Sequence, residues 1–242
     1  MKVYAGTSGF SYDAWHGSFY PEDLPEEGRL GHYASRLPAV EINNSFYKMP
    51  STKVLEAWAA ETPASFRFVL KASRRITHFA RLKEEAAEPL GYLLRNAAVL
   101  GERLGPFLFQ LPPNLKKDVP RLAAFLKHLA PDTRAAFEFR HVSWFDDETY
   151  AALRDGGAAL CIAEDEELAT PFVATAGWGY LRLRRQDYVE SDLSAKVAAM
   201  REQAWDEAYV FFKHEDAGAG PVLAARYLEL AGQGAAPSSG GT

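Results

Sequence analysis

The sequence has one cysteine in 242 residues, so no disulfide bond can form within the chain. Cys161 lies inside the apolar run 158–163, and free cysteines in such surroundings are usually buried and unreactive. We therefore expect a structural thiol rather than a catalytic nucleophile.

Long hydrophobic runs are absent as well. No apolar stretch reaches the roughly 18–20 residues that a transmembrane helix needs. Residues 1–6 do not contain the apolar segment of a secretory signal peptide. These absences predict a cytoplasmic protein without a membrane partner.

An excess of positive charge is also lacking. The 27 Lys and Arg residues are outnumbered by 32 Asp and Glu residues, which gives a net charge of −5. An extended polyanion-binding surface is therefore not indicated, and the net charge gives no support for a nucleic-acid partner. A local basic pocket is compatible with this balance.

Several short catalytic motifs do not occur. The first predicted strand is not followed by the GxGxxG of dinucleotide-binding folds, and the chain has no GxSxG elbow, phosphate-binding loop or HExxH zinc motif. Acidic residues and histidines near strand ends could bind a metal, but neighbouring cations oppose a divalent ion. Those candidate ligands are His141, His214, Glu41, Glu138 and Asp165. We predict neither a metal nor a cofactor.

Short apolar segments alternate with helical patterns along the whole chain. Helices are expected to begin at Ser51, Asp118 and Asp146 and to cover about 84–103, 193–205 and 221–230. Eight strand–helix units predict an α/β fold, a TIM-type (β/α)8 barrel formed by one domain over residues 1–230. Residues 231–242, rich in Gly, Ala, Ser and Pro, predict a disordered C-terminal tail. The strands are predicted at 2–6, 38–43, 66–72, 106–111, 135–140, 158–163, 179–184 and 208–213.

Five of these strands carry charged or amide residues near their C-terminal ends. Side chains two residues apart in a strand point the same way, and burying polar groups among apolar residues is costly unless they are paired. In a parallel barrel these strand ends meet at one mouth, where barrel enzymes keep their chemistry. The pattern therefore predicts an active site there. The residues are Glu41 and Asn43, Lys71, Gln110, Glu138 and Arg140, and Arg182 and Arg184.

Glu41 and Glu138 are the candidate catalytic residues. They lie at corresponding depths on strands two and five, so they could act as a general acid and base. Alternatively, each is tied to Lys71, Arg140 or Arg182 in a buried structural network. The cations slightly outnumber the carboxylates, which favours a small anionic ligand.

The loop after the first strand offers further contacts. Its glycines allow a tight turn, and Ser8 with backbone amides could hold an anion, although a plain turn fits as well. The aromatic residues Trp15 and Tyr20 could stack on a base or a sugar face, or could form a packed lid.

Motifs in a fixed order resemble a known family. They are Gly6-Thr7-Ser8-Gly9 with Trp15, Glu41-Ile42-Asn43-Asn44-Ser45-Phe46-Tyr47, Lys71 with Ile76-Thr77-His78, Phe109-Gln110-Leu111-Pro112-Pro113, and Glu138-Phe139-Arg140-His141 with Ser143-Trp144. The chain resembles the domain of unknown function 72 family, also called YecE-like, from residue 6 to about 230. The resemblance implies a TIM-type barrel in a soluble bacterial or archaeal protein, without an assigned reaction. The chain departs from the commoner family pattern at Leu183-Arg184 and Lys213-His214-Glu215.

The favoured function is an enzyme of hydrolase or lyase type that acts on a small anionic molecule, such as a phosphorylated sugar or a nucleotide-like substrate. The alternative is a non-catalytic module that binds a metabolite or a nucleic-acid end. A general acid or base should have a pKa moved toward neutrality, whereas binding needs only fixed charges. The candidate substrate-binding residues are Ser8, Asn43, Lys71, Gln110, Arg140, Arg182, Arg184, Trp15, Tyr20 and Trp144.

Overall fold

Eight parallel strands close into a barrel in the computed structural model, which describes residues 1–164, 168–185, 187–213 and 218–233. Each strand pairs with the next, and the eighth pairs with the first. The predicted TIM-type barrel is confirmed, although the fifth strand ends before Arg140. The strands are β1 (Lys2–Ser8), β2 (Ala39–Ile42), β3 (Arg67–Lys71), β4 (Leu104–Gln110), β5 (Ala135–Glu138), β6 (Ala159–Glu164), β7 (Trp178–Leu183) and β8 (Glu207–Phe212).

Helices follow most of the strands and cover the outside of the barrel. Ser51, Asp118 and Asp146 are N-caps, as predicted, and each side chain accepts a backbone N–H from the residue three positions later. No helix in the described ranges has the length and apolar content that a membrane crossing needs. The helices are α1 (Arg29–Ala34), α2 (Thr52–Glu61), α3 (Ala87–Ala97), α4 (Val119–Leu126), α5 (Asp147–Asp155), α6 (Glu190–Arg201) and α7 (Ala219–Leu230).

Three features differ from the sequence-based expectation. The six-residue α1 is too short to show an amphipathic period and is missed. The helix expected over 84–103 ends at Ala97, and a 3-10 segment follows in which Gly101 has a φ of 53°. The helix expected over 193–205 is α6, Glu190–Arg201, so it begins and ends earlier than predicted. Residues 168–177, the described part of the connection from β6 to β7, contain no helix, and none was predicted there. Of the predicted tail, residues 234–242 lie outside the described part of the chain.

Apolar side chains fill both sides of the barrel wall. Outside, the strands pack against helix residues such as Leu55, Leu93 and Leu122. Inside, small side chains from β2, β5 and β6 face large rings from β1, β7 and β8, a combination that fills the interior. Cys161 belongs to this interior cluster, and burial raises the pKa of its thiol, as expected for a structural cysteine.

Gly6 lets β1 and β2 approach closely. A Cβ atom at this position would lie 1.9 Å from the backbone oxygen of Ala39, so a side chain here would force the strands apart. The hydroxyl of Tyr33 donates to the same oxygen at 2.9 Å. The resulting parallel register sets Ser8 opposite Glu41 at the C-terminal end of the pair.

Candidate active site at the barrel mouth

The interior of the barrel changes from apolar to polar at the C-terminal ends of the strands. Successive side chains of a strand point alternately into and out of the barrel. Inward-pointing residues at the C-terminal ends of all strands therefore face the barrel axis at the same end. The polar residues occupy the last or next-to-last positions of six strands; they are Ser8, Glu41, Lys71, Gln110, Glu138 and Arg182. Hydrogen bonds join five of these six side chains.

Glu41 is fully buried and accepts three short hydrogen bonds. Ser8 Oγ and Arg182 Nη2 donate to its Oε1 at 2.6 and 2.8 Å, and the Tyr180 hydroxyl donates to Oε2 at 2.6 Å. Burial by itself raises the pKa of Glu41, but the charge of Arg182 and these bonds outweigh it and hold that pKa below its usual value. Glu41 is therefore ionised at neutral pH.

Glu138 is fully buried among three guanidinium groups. Arg182 Nη1 donates to its Oε2 at 2.6 Å, while Arg140 Nε and Arg184 Nη2 donate to Oε1 at 3.0 and 3.2 Å. Gln110 Nε2 adds a fourth bond to Oε1 at 2.9 Å. Burial raises the pKa of Glu138, but the three positive charges hold it well below its usual value.

Arg182 joins the two carboxylates. Its side chain is 2% exposed, and it places one terminal nitrogen on each of Glu41 and Glu138. We call these three residues the carboxylate–arginine network. Because both carboxylates are ionised, neither carries the proton that a general acid must donate near neutrality. The catalytic role predicted for Glu41 and Glu138 stays a prediction.

Lys71 stands apart from the network. Its amine makes no hydrogen bond or ion pair with any residue that the structure describes, and its Nζ lies 4.3 Å from the centroid of the Phe46 ring. Burial, followed by the charge of Arg182, lowers the pKa of Lys71 to about 8, against the opposing effect of Glu41 and Glu138. This amine thus has a pKa displaced toward neutrality, as proton-transfer groups require.

A cavity of about 430 Å³ opens at the mouth beside the network. Five of its described lining residues are cationic and none is a carboxylate, so it is a local basic pocket in an acidic protein. We call it the cationic cavity. It is lined by Tyr12, Asn43, Asn44, Tyr47, Lys71, Gln110, Arg140, Arg182, Arg184 and Lys213.

The structure gathers most of the predicted site residues but separates three aromatic ones. Glu41, Glu138 and Ser8 lie buried beneath the cavity. Trp15, Tyr20 and Trp144 are at most 1% exposed and do not line it, which corrects the prediction that they bind substrate. Their rings pack in the core instead: Trp15 contacts Phe19 and Tyr20, and Trp144 stacks on Phe139 at 4.5 Å. The six predicted residues at the cavity are Asn43, Lys71, Gln110, Arg140, Arg182 and Arg184.

Sequence reasoning missed several residues of the site. Tyr12, Asn44 and Tyr47 line the cavity. Tyr12 follows the Gly6–Gly9 motif and the other two lie within the Glu41–Tyr47 motif, so their position in the sequence could have indicated them as site residues. Lys213 follows β8, where a strand-end search would also find it. Tyr180 faces inward on β7 two positions before Arg182, the spacing of side chains on one face.

Three of the candidate metal ligands, Glu41, Glu138 and His141, lie in the described part of the chain. Within the described ranges, no group of three or more His, Cys, Asp or Glu side chains could hold a metal ion. Two of the candidate ligands, Asp165 and His214, lie outside those ranges.

Residues 4–240 match the family described as "Protein of unknown function DUF72". The chain is 32% identical to the UPF0759 protein YunF of Bacillus subtilis (strain 168), over 72% of this chain and 64% of YunF. It is 30% identical to the UPF0759 protein YecE of Escherichia coli (strain K12), over 48% of this chain and 43% of YecE. The matched segment thus spans less than two thirds of either curated relative.

A solved structure shares the barrel. A DUF72 family protein from Thermotoga maritima superposes with a TM-score of 0.81 at 28% identity. The superposition covers 92% of this chain and 97% of that one, so the likeness extends over nearly all of both.

Proposed function

The chain belongs to the DUF72 family, and we propose that it is an enzyme of hydrolase or lyase type that acts on a small organic anion at the C-terminal mouth of its barrel. The proposed substrate class is a phosphorylated sugar or a nucleotide-like molecule. The observation that carries this proposal is the cationic cavity, where five positive side chains surround one space over two ionised carboxylates.

The proposed binding mode follows from the side chains that line the cavity. Arg140 and Arg184 present N–H groups to phosphate or carboxylate oxygens, since a guanidinium matches such oxygens in pairs. Asn43 and Gln110 have amide groups that can orient hydroxyls of the substrate. The network below keeps Arg182 charged and fixed.

Lys71 is the proton-transfer group in this proposal. Its amine lines the cavity, and its pKa of about 8 allows it to take up and release a proton near working pH. Direct proton transfer by Glu41 or Glu138, the assignment predicted from the sequence, is the competing mechanism. The two assignments differ in their pH dependence, because Lys71 titrates near neutrality whereas the pKa values of Glu41 and Glu138 are lowered.

A non-catalytic binding module is the second candidate. It is favoured by the bonding of both carboxylates to guanidinium groups, a fixed-charge arrangement that holds an anion without moving a proton. A thermal-shift screen of phosphorylated metabolites and nucleotides, followed by product analysis of each hit, separates the two. A stabilising ligand that is consumed supports the enzyme, and one recovered unchanged supports the binding module.

Anion binding itself can be tested with inorganic phosphate. We expect phosphate to bind in the cationic cavity, and Arg140→Gln to weaken its binding roughly tenfold, as loss of one charge-assisted contact does. Isothermal titration at constant ionic strength measures both affinities. Arg154→Gln is the matched control, because Arg154 is exposed on α5 and lies away from this cavity. Equal binding by both variants, or no phosphate binding to the unmodified protein, would contradict the proposal.

A further inference from the structure

A second cavity lies beside the cationic one. It has a volume of about 540 Å³ and lies between the loop after β1, the segment leading into α1, and α2. Its apolar lining consists of Phe10, Leu30, Ile42, Val54, Ala57 and Trp58. We call it the α2 groove. Its aromatic and aliphatic lining is typical of sites that take up the apolar part of a small molecule.

The α2 groove and the cationic cavity share part of their lining. Tyr12, Asn43 and Asn44 line both spaces. The Tyr12 hydroxyl is held by a 2.6 Å bond to the backbone oxygen of Ser8. Gly9 permits this arrangement, because its φ is 99° and a Cβ atom there would lie 2.4 Å from that hydroxyl. The two spaces are therefore neighbours, and a ligand that spanned them would lie against these three residues.

Asn43 leaves a polar group unsatisfied at the junction. Its Oδ1 is buried and accepts no hydrogen bond from any residue that the structure describes. Buried acceptors are normally paired, and an unpaired one calls for an explanation. Because this oxygen is enclosed, a ligand N–H or hydroxyl at the junction would reach it only if the Asn43 side chain turned toward the junction.

The two spaces carry opposite charge. Among the described residues, five cations line the cationic cavity, whereas the charged residues that line the α2 groove are the exposed glutamates Glu26, Glu27 and Glu61. A ligand with one anionic group at the cavity end would suit this arrangement. A second anionic group at the groove end would meet like charge, which disfavours binding.

We infer that the α2 groove is a substrate subsite for a flat apolar group attached to the anion that the cationic cavity holds. The inference rests on the proposed function and specifies its substrate class: an organic phosphate or carboxylate with an aromatic ring, uncharged or positively charged at its far end. Phe10 and Trp58 supply ring surfaces for offset or edge-to-face contact with that ring. A sugar phosphate without an aromatic ring would make no ring-to-ring contact with Phe10 and Trp58.

The test compares two phosphates that differ only by a ring. Isothermal titration of the full chain with ethyl phosphate and 2-phenylethyl phosphate should give at least tenfold tighter binding for the phenyl compound. Ala57 is exposed on α2 and lines the groove. Ala57→Trp should therefore reduce the preference for the ring at least fivefold. Ala151→Trp makes the same change on α5, outside both spaces, and should keep the preference.

The three glutamates that line the α2 groove allow a second measurement, which does not require the Ala57→Trp variant to fold. A carboxylate at the para position of the phenyl ring should weaken binding at least threefold, and Glu61→Gln should reduce that penalty at least twofold. Equal affinity for ethyl and phenylethyl phosphate, or an unchanged preference in a folded Ala57→Trp protein, would overturn the subsite and leave the anion site standing. If neither phosphate binds, the proposed function fails together with the subsite.

Discussion

Replacing Glu138 with glutamine should lower the free energy of unfolding by roughly 3 kcal/mol at neutral pH. The carboxylate accepts bonds from three guanidinium groups, and Arg182 is too deeply buried to turn toward water after the change. Glutamine keeps the volume and one acceptor but removes the charge, so Arg182 retains one carboxylate partner, Glu41. A loss of this size corresponds to a decrease in melting temperature of about 6–12 °C for a chain of this length.

The acid dependence of this effect has a definite sign. The guanidinium charges hold the pKa of Glu138 below its usual value against the effect of burial. The ionised Glu138 therefore stabilises the folded protein above the unfolded-state pKa of about 4.3, and this stabilisation is lost as the pH falls below that value. The difference in melting temperature between wild type and Glu138→Gln should therefore shrink from about pH 5 to pH 3. Glu229→Gln, which affects an exposed pair with Arg226, is the control and should change stability by less than about 0.5 kcal/mol.

The same variant separates the two roles proposed for Glu138. If the carboxylate only maintains the network, the folded fraction of Glu138→Gln should keep its specific activity on a substrate found by the screen. If Glu138 transfers a proton, the variant should still bind that substrate but turn it over roughly a hundredfold more slowly. A variant that melts like wild type would contradict the structural assignment.

Replacing Lys71 with methionine should reduce turnover at least about a hundredfold while the protein stays folded. Methionine matches the length of the lysine stem and removes the amine that lines the cationic cavity. The stability should rise at neutral pH, because the half-buried ammonium group has no hydrogen bond or ion pair among the described residues. A variant with full activity would remove Lys71 from the mechanism.

The alkaline dependence of Lys71→Met also has a definite sign. Burial lowers the pKa of Lys71 to about 8 in the folded protein, whereas its unfolded-state pKa is near 10.4. Between these two pH values the unfolded chain therefore binds more protons than the folded protein does. Wild type should therefore gain stability relative to Lys71→Met as the pH rises through this window, by on the order of 2 kcal/mol. Lys53→Met makes the same change at an exposed position of α2 and is the control. A pH-independent difference would contradict the proposed state of the amine.

Local patterns in the sequence were enough to predict the barrel. Each buried parallel strand is a short apolar run, and the N-caps Ser51, Asp118 and Asp146 mark helix starts by the chemistry of one side chain. The six-residue α1 could not be found in this way, because a helix of less than two turns has no measurable period.

The position of the site was also predictable, since parallel strands must present their C-terminal ends together. Period-two alternation placed Glu138 and Arg140 on one face, and likewise Arg182 and Arg184. In the structure Arg140 and Arg184 both donate to Glu138. The contact between Arg140 and Glu138 follows from spacing along one segment, whereas the contact between Arg184 and Glu138 joins the ends of β7 and β5 and depends on how the barrel closes.

The pairing across the barrel was decided by the tertiary structure alone. Arg182 forms ion pairs with both Glu41 and Glu138, while Lys71 forms one with neither. Sequence spacing does not indicate this, because the four residues lie on four different strands and their distances depend on how the barrel closes. Burial likewise moved Trp15, Tyr20 and Trp144 from the predicted mouth into the core. The sequence by itself determined which polar residues at the strand ends reach the mouth, since strand alternation is local. Their charge states depend on the packing of distant strands, because burial and neighbouring charges set each pKa.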